Sequence, residues 1–374
     1  MRIKEVCQLI NGRAFKPSDW GTEGIPIVRI QNLNDEDAAF NYFAGQYDPI
    51  HEINDGELLF SWSGTPGTSF GAFRWYRGRG VLNQHIFKVI PIIPIDKDYL
   101  MYALNGNLQA IISKAHGGVG LQHITKKELD EIEIPVPDIE TQMEIVSTIK
   151  RVKEMITKRQ RQLRTLDTLI KARFVEMFGD TETNPKGWIK GDLRDHASVI
   201  VGYPFPSDGY SDAGINIVGG YNLMQGYIQW ENSKHWPDEK GFELYMLRAN
   251  DIVIAMDRPW VNGGFKIARI DAAYLPAVLI QRTACIRGKD VEQEFLYYML
   301  DSKGFAEHCN VTGSLVPHIS NKDINSYQII LPPRDEQQRF AAFVSQVEKS
   351  KAVVQAALDK ARVMFDGLMQ EYFG

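Results

Sequence analysis

The chain contains one of its own segments twice, and this repetition constrains the fold more than any other feature. Ile134-Pro135-Val136-Pro137 with Gln142 returns as Ile329-Ile330-Leu331-Pro332 with Gln337. Glu176-Met177-Phe178-Gly179 returns as Glu371-Tyr372-Phe373-Gly374, at the same offset of 195 residues. Between these markers the apolar positions step by three and four. The first copy runs Ile149, Val152, Ile156, Leu163, Leu166, Ile170, Met177, with Arg159 and Arg173 at the two remaining seam places. The second runs Val344, Val347, Lys351, Val354, Leu358, Ala361, Phe365, Leu368, Tyr372 in the same register. A seam of seven-residue spacing lets one helix supercoil against another. The spacing therefore predicts two matching long helices, and a pseudo-two-fold relation between them makes the pair antiparallel.

The regions before each helix are also related. Gly12 and Phe15 match Gly202 and Phe205, and Gly24-Ile25 with Asn32-Leu33 matches Gly214-Ile215 with Asn222-Leu223. His123-Ile124-Thr125 matches His318-Ile319-Ser320, while the intervening loops differ almost completely. Short apolar runs bounded by glycine and proline (24–30, 56–60 and 86–93) read as strands, 99–113 reads as a helix, and Thr125 to Glu128 has capping-box spacing. The expected fold is α+β, with two related, mostly-β domains at 1–138 and 180–333. Spacer helices at 139–179 and 334–374 form an antiparallel coiled coil, and Asn184-Pro185 with Gly187 marks the boundary between the halves.

Composition narrows the class. With 44% hydrophobic and 24% charged residues the chain is ordinary for a globular protein, and its net charge of −5 excludes a globally basic binder. The most apolar run, Val89 to Ile95, is broken by Pro91 and Pro94 and is too short to span a bilayer. No membrane contact is expected, and the three scattered cysteines, Cys7, Cys285 and Cys309, suit a cytoplasmic protein with reduced thiols.

The doubled layout resembles the DNA-specificity subunit of Type I restriction–modification systems, over essentially the whole chain. The carrying residues are Ile134-Pro135-Val136-Pro137 with Glu140 and Gln142, Leu331-Pro332-Pro333 with Glu336-Gln337, and the Phe178-Gly179 and Phe373-Gly374 ends. The first copy departs from the family pattern at Asp138-Ile139, where the second has Pro333-Arg334. The resemblance implies two target-recognition domains, each reading one half of a split asymmetric site on double-stranded DNA, with conserved helices setting the spacing. It implies two adenine-N6 methyltransferase subunits as partners, and motor–nuclease subunits able to join them. No cofactor is implied in this chain; S-adenosylmethionine would belong to the methyltransferase, and ATP with Mg2+ to the motor–nuclease.

From Leu58 to Ile95 there is no acidic residue, while Trp62, Arg74, Trp75, Arg77 and Arg79 lie inside among glycines. Such a stretch suits phosphates and base edges. Arg258, Trp260, Asn262 and Lys266 hold the equivalent place in the second domain. Gln84 with His85, and Gln281 with Arg282, occupy matched positions, and glutamine can pair with adenine as arginine does with guanine. Gly118 and Ser314 sit in small loops fit for backbone contacts to phosphate. His123 and His318 read as structural hydrogen-bonders, and the basic face of the first helix as a solvated or partner surface. No nucleotide loop, aminomethyltransferase motif or His/Cys metal cluster is visible, so a non-catalytic subunit is expected. A competing reading is a coiled-coil scaffold whose paired β domains bind proteins or glycans. A third, an enzyme such as a nuclease, predicts cleavage or methylation by the chain alone.

Overall fold

A computed structural model describes residues 1–65, 68–116, 122–238, 240–261, 264–309 and 318–374. The chain forms two units, one of residues 1–161 with 355–374 and the other of residues 162–354. Each unit joins one globular domain to half of each long helix.

In the first unit a four-stranded antiparallel sheet runs in the order Cys7–Asn11, Ile86–Pro91, Leu58–Ser61, Gly71–Arg74. Its alternation places Leu58, Phe60, Phe87 and Val89 on a face that packs against the helix Lys97–Gly106. A second sheet pairs Ile25–Val28 in parallel with Gly80–Leu82. The helix expected over 99–113 is broken at Asn107 into Lys97–Gly106 and Leu108–Lys114. Its start is capped by Asp96, whose carboxylate accepts from the backbone N–H groups of Asp98 and Tyr99, both at 2.9 Å. Thr125 and Glu128 close the expected capping box, and Ser320 with Asp323 repeats it.

The second unit repeats this plan. Ala197–Val201, Thr283–Gly288, Ile252–Ala255 and Ile267–Arg269 form the antiparallel sheet, and Ile215–Val218 runs parallel to Ala277–Leu279. Gly12 and Gly202 are required by the same crossing in each copy. A Cβ there would run into the carbonyl of Asn83 or of Ile280, so only glycine lets the two backbone segments touch.

The long helices are Ile139–Phe178 and Arg334–Phe373. They run antiparallel within each unit. In the second unit Phe174 and Phe178, at the end of the first helix, pack on Phe340 near the start of the second, with ring centroids 5.4 and 5.6 Å apart. In the first unit Ile145, Val146 and Ile149 share a core with Phe373 from the far end of the second helix.

The repeated glutamines explain the start of each helix. Gln142 donates from Nε2 to the Pro137 carbonyl at 2.8 Å and accepts at Oε1 from Asp96 N at 2.9 Å. Gln337 does the same with Pro332 and Glu292, at the same distances. Each buried amide thus ties its helix to the preceding strand and to the cap of a domain helix. The polar stretch after Phe178 is an ordered cap. Lys186 Nζ donates to the carbonyls of Glu176 and Met177, both at 2.7 Å, and the Trp188 indole N–H donates to Phe178 O at 3.0 Å.

Candidate nucleic-acid interface

The matched dipeptides Gln84-His85 and Gln281-Arg282 occupy one structural place in the two domains. Trp62 N donates to His85 O at 3.2 Å, and Met256 N donates to Arg282 O at 2.8 Å. Ile124 N then donates to Trp62 O, as Ile319 N does to Met256 O. These backbone bonds equate His85 with Arg282 and His123 with His318.

On this shared frame the chemistry diverges. In the first domain the half-buried Trp62 ring lies between the matched residues, 5.0 Å from the His85 ring and 6.3 Å from that of His123. Its indole N–H donates to Asn11 Oδ1 at 3.0 Å. Burial, then the charge of His123, presses the His85 pKa down and favours a neutral ring. His85 Nδ1 is buried without a hydrogen-bond partner among the described residues, and the other ring nitrogen lies 3.2 Å from Gln84 Nε2. In the second domain the bridging group is a carboxylate. Asp257 pairs with Arg282 Nε at 3.1 Å and makes a short hydrogen bond with His318 Nδ1. Asp257 belongs to no motif of the sequence; its signal there is its position beside a strand end matching 61–63.

The second-domain residues gather around an open cavity of about 660 Å³, lined by Gly220, Tyr221, Asp257, Arg258, Lys266, Ile280, Gln281 and Arg282. Four of the expected contacts therefore converge: Arg258, Lys266, Gln281 and Arg282. Arg258, at φ +45°, is exposed and makes no ion pair or hydrogen bond among the described residues. Lys266 is anchored to Gly220 O at 2.7 Å, and burial lowers its pKa. Trp260 is 37% exposed on a short strand, Trp260–Val261, that pairs antiparallel with Gly264–Phe265.

The basic stretch of the first domain is different. Arg74 pairs with Asp98 at 2.9 Å and donates to Gly56 O at 2.6 Å. Trp75 is 2% exposed and gives its indole N–H to Gly78 O at 2.5 Å. Arg77 donates to the carbonyls of Asn32, Asp35 and Ala38, each at 3.1 Å, with its guanidinium over the Phe40 ring. These three side chains are held by contacts within their own domain. Arg79 is exposed but forms a forked pair with Glu52, at 2.9 and 2.7 Å. Those hydrogen bonds, then one from Tyr47, hold the Glu52 carboxyl down at about 2. The acids come from outside the acid-free stretch, so a locally unopposed charge is opposed in space.

Gly118, Asn262 and Ser314 lie outside the described residues. The basic face of the first helix is partly paired with acids: Lys150 pairs with Asp98 at 2.5 Å and Lys171 with Asp301 at 3.1 Å. Lys153 lies over the Tyr102 ring, and burial lowers its pKa. No group of three or more potential metal ligands occurs among the described residues, and no described helix is long and apolar enough to cross a membrane.

The model of the Type I restriction modification DNA specificity domain matches residues 1–165 and again 222–360. The chain is 23% identical over 316 residues to the Type I restriction enzyme MjaVIII specificity subunit of Methanocaldococcus jannaschii, covering 79% of this chain and 73% of that one. Over 193 residues it is 31% identical to the EcoAI specificity subunit of Escherichia coli, 49% of this chain and 33% of the other. The crystal structure of the S subunit from M. genitalium superposes with a TM-score of 0.56 at 16% identity, covering 100% of this chain and 95% of that one.

Proposed function

Since the chain belongs to the Type I restriction–modification DNA specificity family, we propose that its two domains read the two halves of a split, asymmetric target on double-stranded DNA. The protein is a non-catalytic specificity subunit acting in a complex with other subunits and DNA. The observation that carries the domain-by-domain reading is the shared frame with unlike side chains at the matched place: His85 beside the Trp62 ring in one copy, Arg282 paired with Asp257 in the other, with His123 and His318 common to both. Sequence readout needs different donors and acceptors aimed at different base edges, and matched positions with unlike chemistry supply that.

In this reading two methyltransferase subunits bring S-adenosylmethionine, and motor–nuclease subunits bring ATP and Mg2+. The target adenine leaves the stack to enter a pocket of the methyltransferase, so this chain needs no pocket for it. The direct test is reconstitution with the methyltransferase and mapping of methylated sites. A split consensus, with duplex binding that falls steeply with salt, supports the reading. Salt-independent binding, or no duplex binding at all, supports the scaffold alternative instead.

A further inference from the structure

Arg282 differs from Arg258, which lines the same cavity, in how its donors are allotted. Its Nε faces Asp257 Oδ2 at 3.1 Å, while Nη1 and Nη2 have no hydrogen-bond partner among the described residues. The side chain is 71% exposed, and its backbone is held at φ +66°. Asp257 is itself held from the other side by the His318 ring. A carboxylate on Nε, braced by an imidazole, fixes the plane of the guanidinium and leaves the terminal fork pointing away from its brace. Two parallel N–H donors at that spacing match one base edge in the major groove, the O6 and N7 acceptors of guanine. The matched residue of the first domain is His85, whose ring is half-buried beside Trp62 and offers no such fork.

We infer that Arg282 reads a guanine in the half-site of the second domain, with Asp257 and His318 as its positioning residues. The inference rests on the domain-by-domain reading above and adds the identity of one base pair. The nearby Arg258, with no partner of its own among the described residues, and Lys266, tied to Gly220, supply positive charge that suits the flanking phosphates.

The test is methylation by the full complex on a randomised target library, with wild-type, Arg282→Ala, Arg282→Lys and Asp257→Asn chains. The wild type should require a G·C pair at one position of the second half-site. Both Arg282 variants should relax that position by roughly ten- to a hundredfold and leave the first half-site unchanged. Lysine keeps the charge but not the planar fork, so its failure to restore the preference separates guanine reading from phosphate contact. Asp257→Asn should relax the same position by a smaller factor at an unchanged melting temperature, because a neutral amide holds the guanidinium less firmly. Three results would overturn the inference while leaving the domain reading intact. They are a second half-site with no required G·C pair, a uniform loss across all sequences in Arg282→Ala, or full rescue by lysine. An unchanged Asp257→Asn profile would remove its positioning role. A wild-type complex without sequence preference would instead overturn the recognition reading itself.

Discussion

The glutamines that the two copies share do the same structural work at both helix starts. Gln142 and Gln337 make the same two hydrogen bonds in each unit and are 1% and 3% exposed. Replacing either by alanine leaves a cap N–H and a proline carbonyl unpaired, at a cost of about 1–3 kcal/mol. Urea denaturation of Gln142→Ala and Gln337→Ala should show losses of similar size; a loss at one position only would contradict their equivalence. Asp251 is a sharper case. Its carboxylate takes Arg287 Nε and Nη2 at 2.7 and 2.6 Å, and accepts from Arg248 N at 2.7 Å, with only 4% of the side chain exposed. Asp251→Ala strands a half-buried guanidinium and should cost roughly 3–5 kcal/mol. Its first-domain counterpart, Glu57 with Lys88 at 2.8 Å, is 23% exposed, so Glu57→Ala should cost less.

Among the elements, the long helices carry a prediction about spacing. Each has 40 residues, which corresponds to about 60 Å at roughly 1.5 Å per residue. Ile149, Val152, Ile170, Val344, Val347 and Leu358 are buried as the heptad pattern predicts. The pattern missed Phe174 and Phe340, which are 6% and 0% exposed. Phe174 lies one place past the Arg173 seam position, because the helix also packs on a domain and a straight helix drifts relative to a strict seven-residue repeat, whereas Phe340 stands one heptad before Val347 and extends the second seam toward the helix start. Antiparallel partners must be lengthened together. Four residues inserted after Lys158 and four after Val353 add about one turn to each helix and keep both seams nearly in register. In the spacer reading the domains then move apart by up to about 6 Å, under two base-pair steps of roughly 3.4 Å. Methylation mapping should find the same half-sites with a gap longer by one or two base pairs. An unchanged gap, or altered half-sites, would refute the ruler. Two-residue insertions turn the seams apart and should weaken assembly.

For the whole molecule, the prediction concerns independence. Changing Trp62, Gln84 and His85 together should alter one half of the methylated consensus, while changing Arg258, Gln281 and Arg282 should alter the other. Each lost base-edge pair should cost on the order of 1–3 kcal/mol at its own position. Equal damage to both halves from either set would end the domain-by-domain assignment. Arg74, Trp75 and Arg77 are unsuitable for this test, since replacing them breaks an ion pair, a buried indole contact and a three-carbonyl clamp. The purified chain should show no methyl transfer with S-adenosylmethionine alone; activity in isolation would contradict its non-catalytic role.

The sequence by itself determined the repeat, the two long helices, the capping box of Thr125 and Glu128, and the family. Each of these is written in local periodicity or in a short motif at constant spacing, where neighbours in the chain are neighbours in space. It also brought Gln84-His85 and Gln281-Arg282 into correspondence, because the repeat aligns them without any knowledge of contacts. What only the tertiary structure decided was which charges are free. Arg74, Arg77, Arg79 and Lys88 look unopposed along the chain, yet their partners arrive from Asp98, the Asn32 to Ala38 carbonyls, Glu52 and Glu57. Conversely Asp257, unremarked in sequence, becomes the brace for Arg282 once strand pairing brings His318 alongside it. Electrostatic pairing acts over a few ångströms of space, and sheet crossings set those distances between residues tens of positions apart in the chain.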